Sequence, residues 1–107
     1  MTEEKLSEIL VTLRSGLAEL LGDQLAAVYL YGSHARGEAT SYSDIDVLIV
    51  LNGNFDYFEM IEKTGDLAAK LSLENDTVIA LAFVTKDNYQ TRRTPFLMNV
   101  RREGVLV

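Results

Sequence analysis

The sequence predicts an α/β (α+β) fold, a small β-sheet flanked by helices, with elements in the order α-β-α-β-α-β-α. Three observations predict it. Leu6, Ile9, Leu10, Leu13, Leu17, Leu20 and Leu21 recur at three- and four-residue steps, which marks an amphipathic helix. The run Asp46-Val47-Leu48-Ile49-Val50-Leu51 is almost continuously apolar, as in a strand covered on both faces. Helical and extended patterns then alternate along the chain, which stacks helices over a sheet.

The elements follow in order. The first helix spans Thr2 to Leu21, with Thr2 as N-cap and Gly22 as stop. Ala26 to Tyr31 is a strand running into Gly32. Ser33 to Gly37 is a short helical turn, and the polar stretch Glu38 to Ser43 is a loop. The second strand is Asp46 to Leu51, followed by turn chemistry at Asn52-Gly53-Asn54. A second long helix covers Asp56 to about Leu71, with Phe58, Ile61, Ala68 and Leu71 facing inward. Gly65 weakens that helix by about 1 kcal/mol relative to alanine. Thr77 to Thr85 is a third strand, and Asp87 to Arg93 is a short helix. Pro95 suits the first turn of a last helix that Gly104 ends.

A chain of 107 residues, 48% hydrophobic, is expected to form one domain with one core, spanning 1–107. With no cysteine there is neither a disulfide nor a thiolate zinc site, and with one histidine there is no multi-histidine metal site. No apolar run is long enough for a membrane span, and the N-terminus lacks the pattern of a signal peptide, so a soluble cytoplasmic protein is expected. The net charge of -6 argues against direct nucleic-acid binding, and it suits a basic protein partner or simple solubility. Arg92, Arg93, Arg101 and Arg102 are two basic pairs that read either as a solvated helix face or as contacts to phosphate or an acidic partner. Tyr29 and Tyr31, in the first strand, read as packing residues.

Chemistry concentrates in Gly32-Ser33-His34-Ala35-Arg36-Gly37 and Ser43-Asp44-Ile45-Asp46. A strand that ends in Gly-Ser before a helical turn presents unpaired backbone N–H groups to an anion. Gly32 permits close approach of a phosphate, and the Ser33 hydroxyl adds a donor. Arg36 either contacts phosphate or pairs with an acid such as Asp44 or Asp46. His34 is expected on the exposed side of the turn. Asp44 and Asp46 are two residues apart, so on a strand they share a face. Two such carboxylates repel unless they share a cation, and Mg²⁺ is the natural one because it takes oxygen ligands and completes its shell with phosphate and water. A phosphate cradle and a carboxylate pair at one sheet edge suit metal-assisted nucleotidyl transfer.

These residues closely resemble the signature of the DNA polymerase β-like nucleotidyltransferase superfamily. The short length, Ala-Arg-Gly and Ser-Asp-Ile-Asp resemble its minimal nucleotidyltransferase (MNT) group, and the ending from Pro95 to Leu106 is similar. The resemblance implies the nucleotidyltransferase fold with a mixed sheet. It implies ATP or another NTP as substrate with Mg²⁺, held by Gly32 and Ser33 at the phosphates and by Asp44 and Asp46 at the metal. It also implies a role as antitoxin to a HEPN-domain ribonuclease toxin, by transfer of AMP to a toxin tyrosine or by tight binding, in a homo- or hetero-oligomer. The family carries a third carboxylate on the next strand, where it assists the metal and serves as base. That position falls here at Ala80, which can do neither. Asp76 has the same strand parity but lies about 13 Å away at four residues' rise, and Glu74 is a weaker substitute. Three readings follow: a protein adenylyltransferase, a partner-neutralising nucleotide-binding module, and an antibiotic-modifying transferase. The last is disfavoured because such enzymes add a second domain for the acceptor.

Overall fold

A computed structural model describes residues 1–107. Five helices and four strands occur in the order α1 (Glu3–Leu21), β1 (Leu25–Tyr31), α2 (Ser33–Arg36), β2 (Ile45–Leu51), α3 (Tyr57–Glu74), β3 (Ile79–Thr85), α4 (Lys86–Thr91), α5 (Pro95–Glu103) and β4 (Val105–Leu106), with a 3-10 turn at Gly22–Gln24. Four helices start on a side-chain cap. Thr2, Asp56, Thr85 and Thr94 each accept from the backbone N–H three residues on, at 3.1–3.2 Å. Pro95 sits in the first turn of α5 and Gly104 ends it. A side chain at Gly104 would strike the carbonyl of Val100, so the chain can turn sharply there into β4. No helix is long and apolar enough to cross a membrane.

The sheet is mixed, in the order β3-β2-β1-β4. β1 runs antiparallel to β2 and to β4, and β2 runs parallel to β3. Central β2 is the strand covered on both faces: Val47, Leu48, Ile49, Val50 and Leu51 are all buried. Its cover is lopsided. Ile45, Val47, Ile49 and Leu51 belong to a cluster of 15 buried residues that includes Leu13 and Leu17 of α1 and Met60 and Leu71 of α3. Leu48 and Val50 form a smaller cluster of 4 buried residues with Leu97 and Val100 of α5, edged by partly buried side chains such as Tyr29, Tyr31 and Tyr89. The thin layer leaves the upper part of that second face open, and Asp46 and Ala80, which share it by parity, are only half-buried.

Four expectations are corrected. Phe58 and Ile61 do not face inward. They are 67% and 47% exposed, and α3 instead buries Met60, Thr64, Ala68 and Leu71. The phase is set by α1: Gly16 has no side chain, and a Cβ there would lie 2.7 Å from Leu67. Thr64 tolerates burial because its hydroxyl donates to the Met60 carbonyl at 2.8 Å. Leu20 likewise leaves the core stripe of α1 and is 47% exposed. The third strand begins at Ile79 rather than Thr77, because Asn75 and Asp76, the latter with φ 48°, form the turn that leaves α3. The chain also adds β4, which pairs Leu106 with Tyr29 and Val105 with Leu30. Two residues carry no readable period, so only pairing reveals that strand.

Burial separates the two apolar sets energetically. Leu13→Ala empties a fully buried site between α1 and the sheet, and should cost about 2–5 kcal/mol in urea unfolding. Phe58→Ser should change stability by no more than about 0.5 kcal/mol. Similar losses for both variants would overturn this assignment of the α3 face.

Candidate active site

The candidate site lies where β1 ends and β2 begins. Antiparallel register sets Tyr31 opposite Asp46, and parallel register sets Asp46 opposite Ala80. The chain leaves β1 through Gly32 at φ 75°, ψ -156°, a conformation that disfavours any side chain. Space forbids one as well, since a Cβ on Gly32 would collide with Oδ2 of Asp46. The Gly32 backbone and the Asp46 carboxylate are therefore immediate neighbours. Ser33 opens α2, a single turn closed by Gly37 at φ 72°. The Arg36 N–H donates to the Gly32 carbonyl at 3.2 Å, and the Glu38 N–H to the Ser33 carbonyl at 2.9 Å. The first N–H groups of such a turn have no partner within it.

Asp44 lies one residue before β2, exposed at the end of a tight turn. In that turn the Ser43 hydroxyl accepts from the Thr40 N–H at 2.9 Å, and the Thr40 carbonyl accepts from the Ser43 N–H at 3.1 Å. Strand parity therefore does not reach Asp44, yet its charge still acts on Asp46. Burial, and next the charge of Asp44, hold the Asp46 carboxyl above the usual carboxylate range, while His34 and Arg36 pull it back. Burial and the Asp46 charge likewise push the Tyr31 phenol up, so its hydroxyl stays protonated at neutral pH.

Arg36 pairs neither with Asp44 nor with Asp46. Its Nε bonds Glu38 at 3.1 Å and its Nη1 reaches Glu103 at 3.5 Å, so it ties α2 to the end of α5. Glu103 is 67 residues away in the chain, and no sequence signal marks it as a partner. His34 is not on the exposed side: it is half-buried, and its Nε2 is enclosed without a hydrogen-bond partner. Arg101 also departs from a solvated face. It donates to the carbonyls of Tyr89 and Arg92 and locks α5 to α4. Tyr29 packs as expected, stacked on Tyr89 at 4.9 Å between ring centroids. Tyr31 packs edge-on to Phe96 at 5.2 Å, but it also faces the acid pair, a position the sequence reading missed.

No group of three or more His, Cys, Asp or Glu side chains is placed to hold a metal. A carboxylate pair still suits Mg²⁺, which draws most of its shell from water and substrate phosphate. The half-buried Asp46 and the exposed Asp44, whose charges repel, are the donor set such an ion takes. Ala80, directly across from Asp46, supplies no oxygen. Asp76 lies in the turn before β3 and Glu74 at the last turn of α3, so neither occupies that register position.

A mixed sheet with a glycine-serine turn set against such an acid pair has the architecture of a nucleotidyl-transferring domain. Residues 10–94 match the nucleotidyltransferase domain family, and the chain belongs to it. Two proteins of Methanocaldococcus jannaschii, named by inference as protein adenylyltransferases, are similar along nearly their whole length. One is 32% identical over 94% of this chain and 96% of its own. The other is 34% identical over 97% of this chain and 96% of its own. Three solved structures share the fold. A toxin–antitoxin complex with AMP-PNP gives a TM-score of 0.57 at 23% identity, covering 99% of this chain and 72% of that one. A minimal nucleotidyltransferase gives 0.57 at 20% identity, covering 95% of each chain. The MNT antitoxin complex with a tri-AMPylated HEPN toxin of Shewanella oneidensis gives 0.53 at 23% identity, covering 99% and 71%.

The raised Asp46 pKa carries a stability consequence. The folded state holds its proton more tightly than the unfolded chain, so stability is lost as pH rises through the ordinary carboxylate value toward the raised one. Without divalent metal, Asp46→Asn should therefore melt higher than the wild type at about pH 7, and the two curves should converge toward about pH 3. Equal melting temperatures at about pH 7 would remove the basis for a repelling pair.

Proposed function

We propose that the protein is a Mg²⁺-dependent nucleotidyltransferase of the MNT type that transfers AMP from ATP to a hydroxyl of a partner protein, in the cytoplasm, and acts as antitoxin to a HEPN-type toxin. The observation that carries this reading is the abutment of the Gly32 turn on the Asp46 carboxylate, with Asp44 beside it. That arrangement sets an anion-accepting backbone against a cation-demanding pair. The similarity to proteins named as protein adenylyltransferases, and the fold shared with MNT antitoxins, support the acceptor and the partner.

In this reading Gly32 and Ser33 bind and orient the triphosphate through backbone N–H groups and the Ser33 hydroxyl. Asp44 and Asp46 would hold Mg²⁺, which would supply positive charge against the phosphates and the pyrophosphate leaving group. The acceptor oxygen forms a bond to the α-phosphorus, the bridging P–O bond to the β-phosphate breaks, and the acceptor proton is released. Arg36, held by Glu38 and Glu103, contributes positive potential beside the phosphates rather than a free hand.

The register of Ala80 favours a second reading, a nucleotide-binding module that neutralises its partner by contact with little or no transfer. A positioned base is typically worth 10²–10⁴-fold, so its loss at this position is large.

The two readings separate in one assay. The protein is incubated with Mg²⁺, ATP labelled at the α-phosphate and the protein encoded by its genomic neighbour. Transfer predicts label on the neighbour, reduced about 100-fold or more by Asp44→Asn or Asp46→Asn. Neutralisation that persists in both variants with no label anywhere decides for the binding module. If a base is what the site lacks, Ala80→Asp should raise the transfer rate by about 10²–10⁴-fold, read as initial rate at saturating ATP.

A further inference from the structure

A cleft of about 220 Å³ opens beside the Gly32 turn, on the α5 face of the sheet. Tyr31 and Gly32 form one wall, Phe96 and Asn99 the other, and the Arg36–Glu103 ion pair lies at its side. Phe96 is the notable member. It stands on the first turn of α5, 43% exposed, although the same helix buries Leu97 and Val100. Its one aromatic neighbour is Tyr31, nearly perpendicular to it at 84°, so part of the ring stays open to the cleft. The cleft is too small for a whole nucleotide, as drug-sized ligands occupy roughly 300–1,000 Å³. It does have the size and lining for one flat ring system. Gly32 belongs both to the cleft and to the proposed phosphate cradle, so the cleft adjoins the cradle. The clefts on the far side of α2, around His34, Thr40 and Ser41, contain no Phe, Tyr or Trp and offer no such stacking surface.

We propose that this cleft is the nucleoside subsite, in which the heterocyclic base of a nucleoside triphosphate stacks on Phe96 beside Tyr31 while its phosphates lie against Gly32 and Ser33. The inference rests on the nucleotidyl-transfer reading and adds to it a residue that selects nucleotide over bare polyphosphate. Asn99 borders the base: its Oδ1 accepts from Arg102 at 2.8 Å, which leaves its amide N–H groups to face the ring's acceptors. Stacking of a base on an aromatic side chain is tolerant of base identity, so affinity here comes from the ring face more than from hydrogen-bond reading.

Isothermal titration with Mg²⁺ tests it on the full chain, using a non-hydrolysable ATP analogue and inorganic tripolyphosphate as probes. The analogue should bind at least about tenfold more tightly than tripolyphosphate. Phe96→Ala should weaken the analogue by about 5- to 100-fold and leave tripolyphosphate unchanged. Phe96→Leu, which keeps apolar bulk but lacks the ring, should behave like alanine, and Phe96→Trp should retain the affinity. Unchanged analogue binding in Phe96→Ala and Phe96→Leu overturns the subsite, and so does equal weakening of both probes. Two probes of equal affinity for the wild type refute the subsite alone, with the phosphate cradle intact. Failure of the wild type to bind either probe refutes the subsite together with the nucleotidyl-transfer reading.

Discussion

The rest of the site depends on one close approach, the Gly32 backbone against the Asp46 carboxylate. It is possible only because residue 32 has no side chain and adopts φ 75°. The β1–β2 register sets it up, since pairing Tyr31 with Asp46 delivers the turn after β1 to the one acid of β2. A slip of one residue would rotate Asp46 into the cluster of Leu13, Leu17 and Met60 and break both the core and the site. The fold and the site therefore share a single constraint, and the buried parity of β2 enforces it.

The lopsided cover of the sheet is what makes a site possible at all. α1 and α3 seal one face with leucine and methionine, while on the other α5 buries only a small cluster around Leu48 and Val50. Asp46, Ala80 and Tyr31 lie in a row across three strands on the uncovered part of that second face. Arg36 links α2 to Glu103, and Arg101 fastens α5 to α4, so the short elements that border the opening are held by charge-assisted bonds rather than by a large apolar contact. The result is a floor of strand with a polar rim, open to solvent above Asp46.

How far the site could be read in advance varied with the kind of signal. Gly32, Ser33, Asp44 and Asp46 stand out in the sequence because they cluster within fifteen residues and their types suggest a chemistry, and the structure sets Gly32 against Asp46. The place of Ala80 was legible by counting along an apolar strand, and the parallel register with β2 agrees. Arg36 pairs with acids, as one of its two readings holds, but with Glu38 and Glu103 rather than Asp44 or Asp46, and only the packing of α5 brings Glu103 close. His34 was misplaced because a four-residue helix has no hydrophobic period from which to read a face. Phe58 and Ile61 were misread for the opposite reason. α3 has apolar residues on two adjacent stripes, and the sequence cannot say which one meets Gly16 and the sheet.

The sequence by itself determined the elements, their caps, the doubly covered central strand and the chemical type of the site, because these follow from local geometry and residue chemistry. Only the tertiary structure decided which face of α3 is buried, that β4 exists, which acids Arg36 holds, and that Tyr31 and Phe96 border one cleft. Each of these is a choice among locally equivalent options. Local propensity is indifferent to them, and they are settled by the contacts that distant segments make when apolar surface is buried. The motif beginning at Gly32 suggests a chemistry by residue type, but the register of three strands was needed to show which side chains stand around the Gly32 turn.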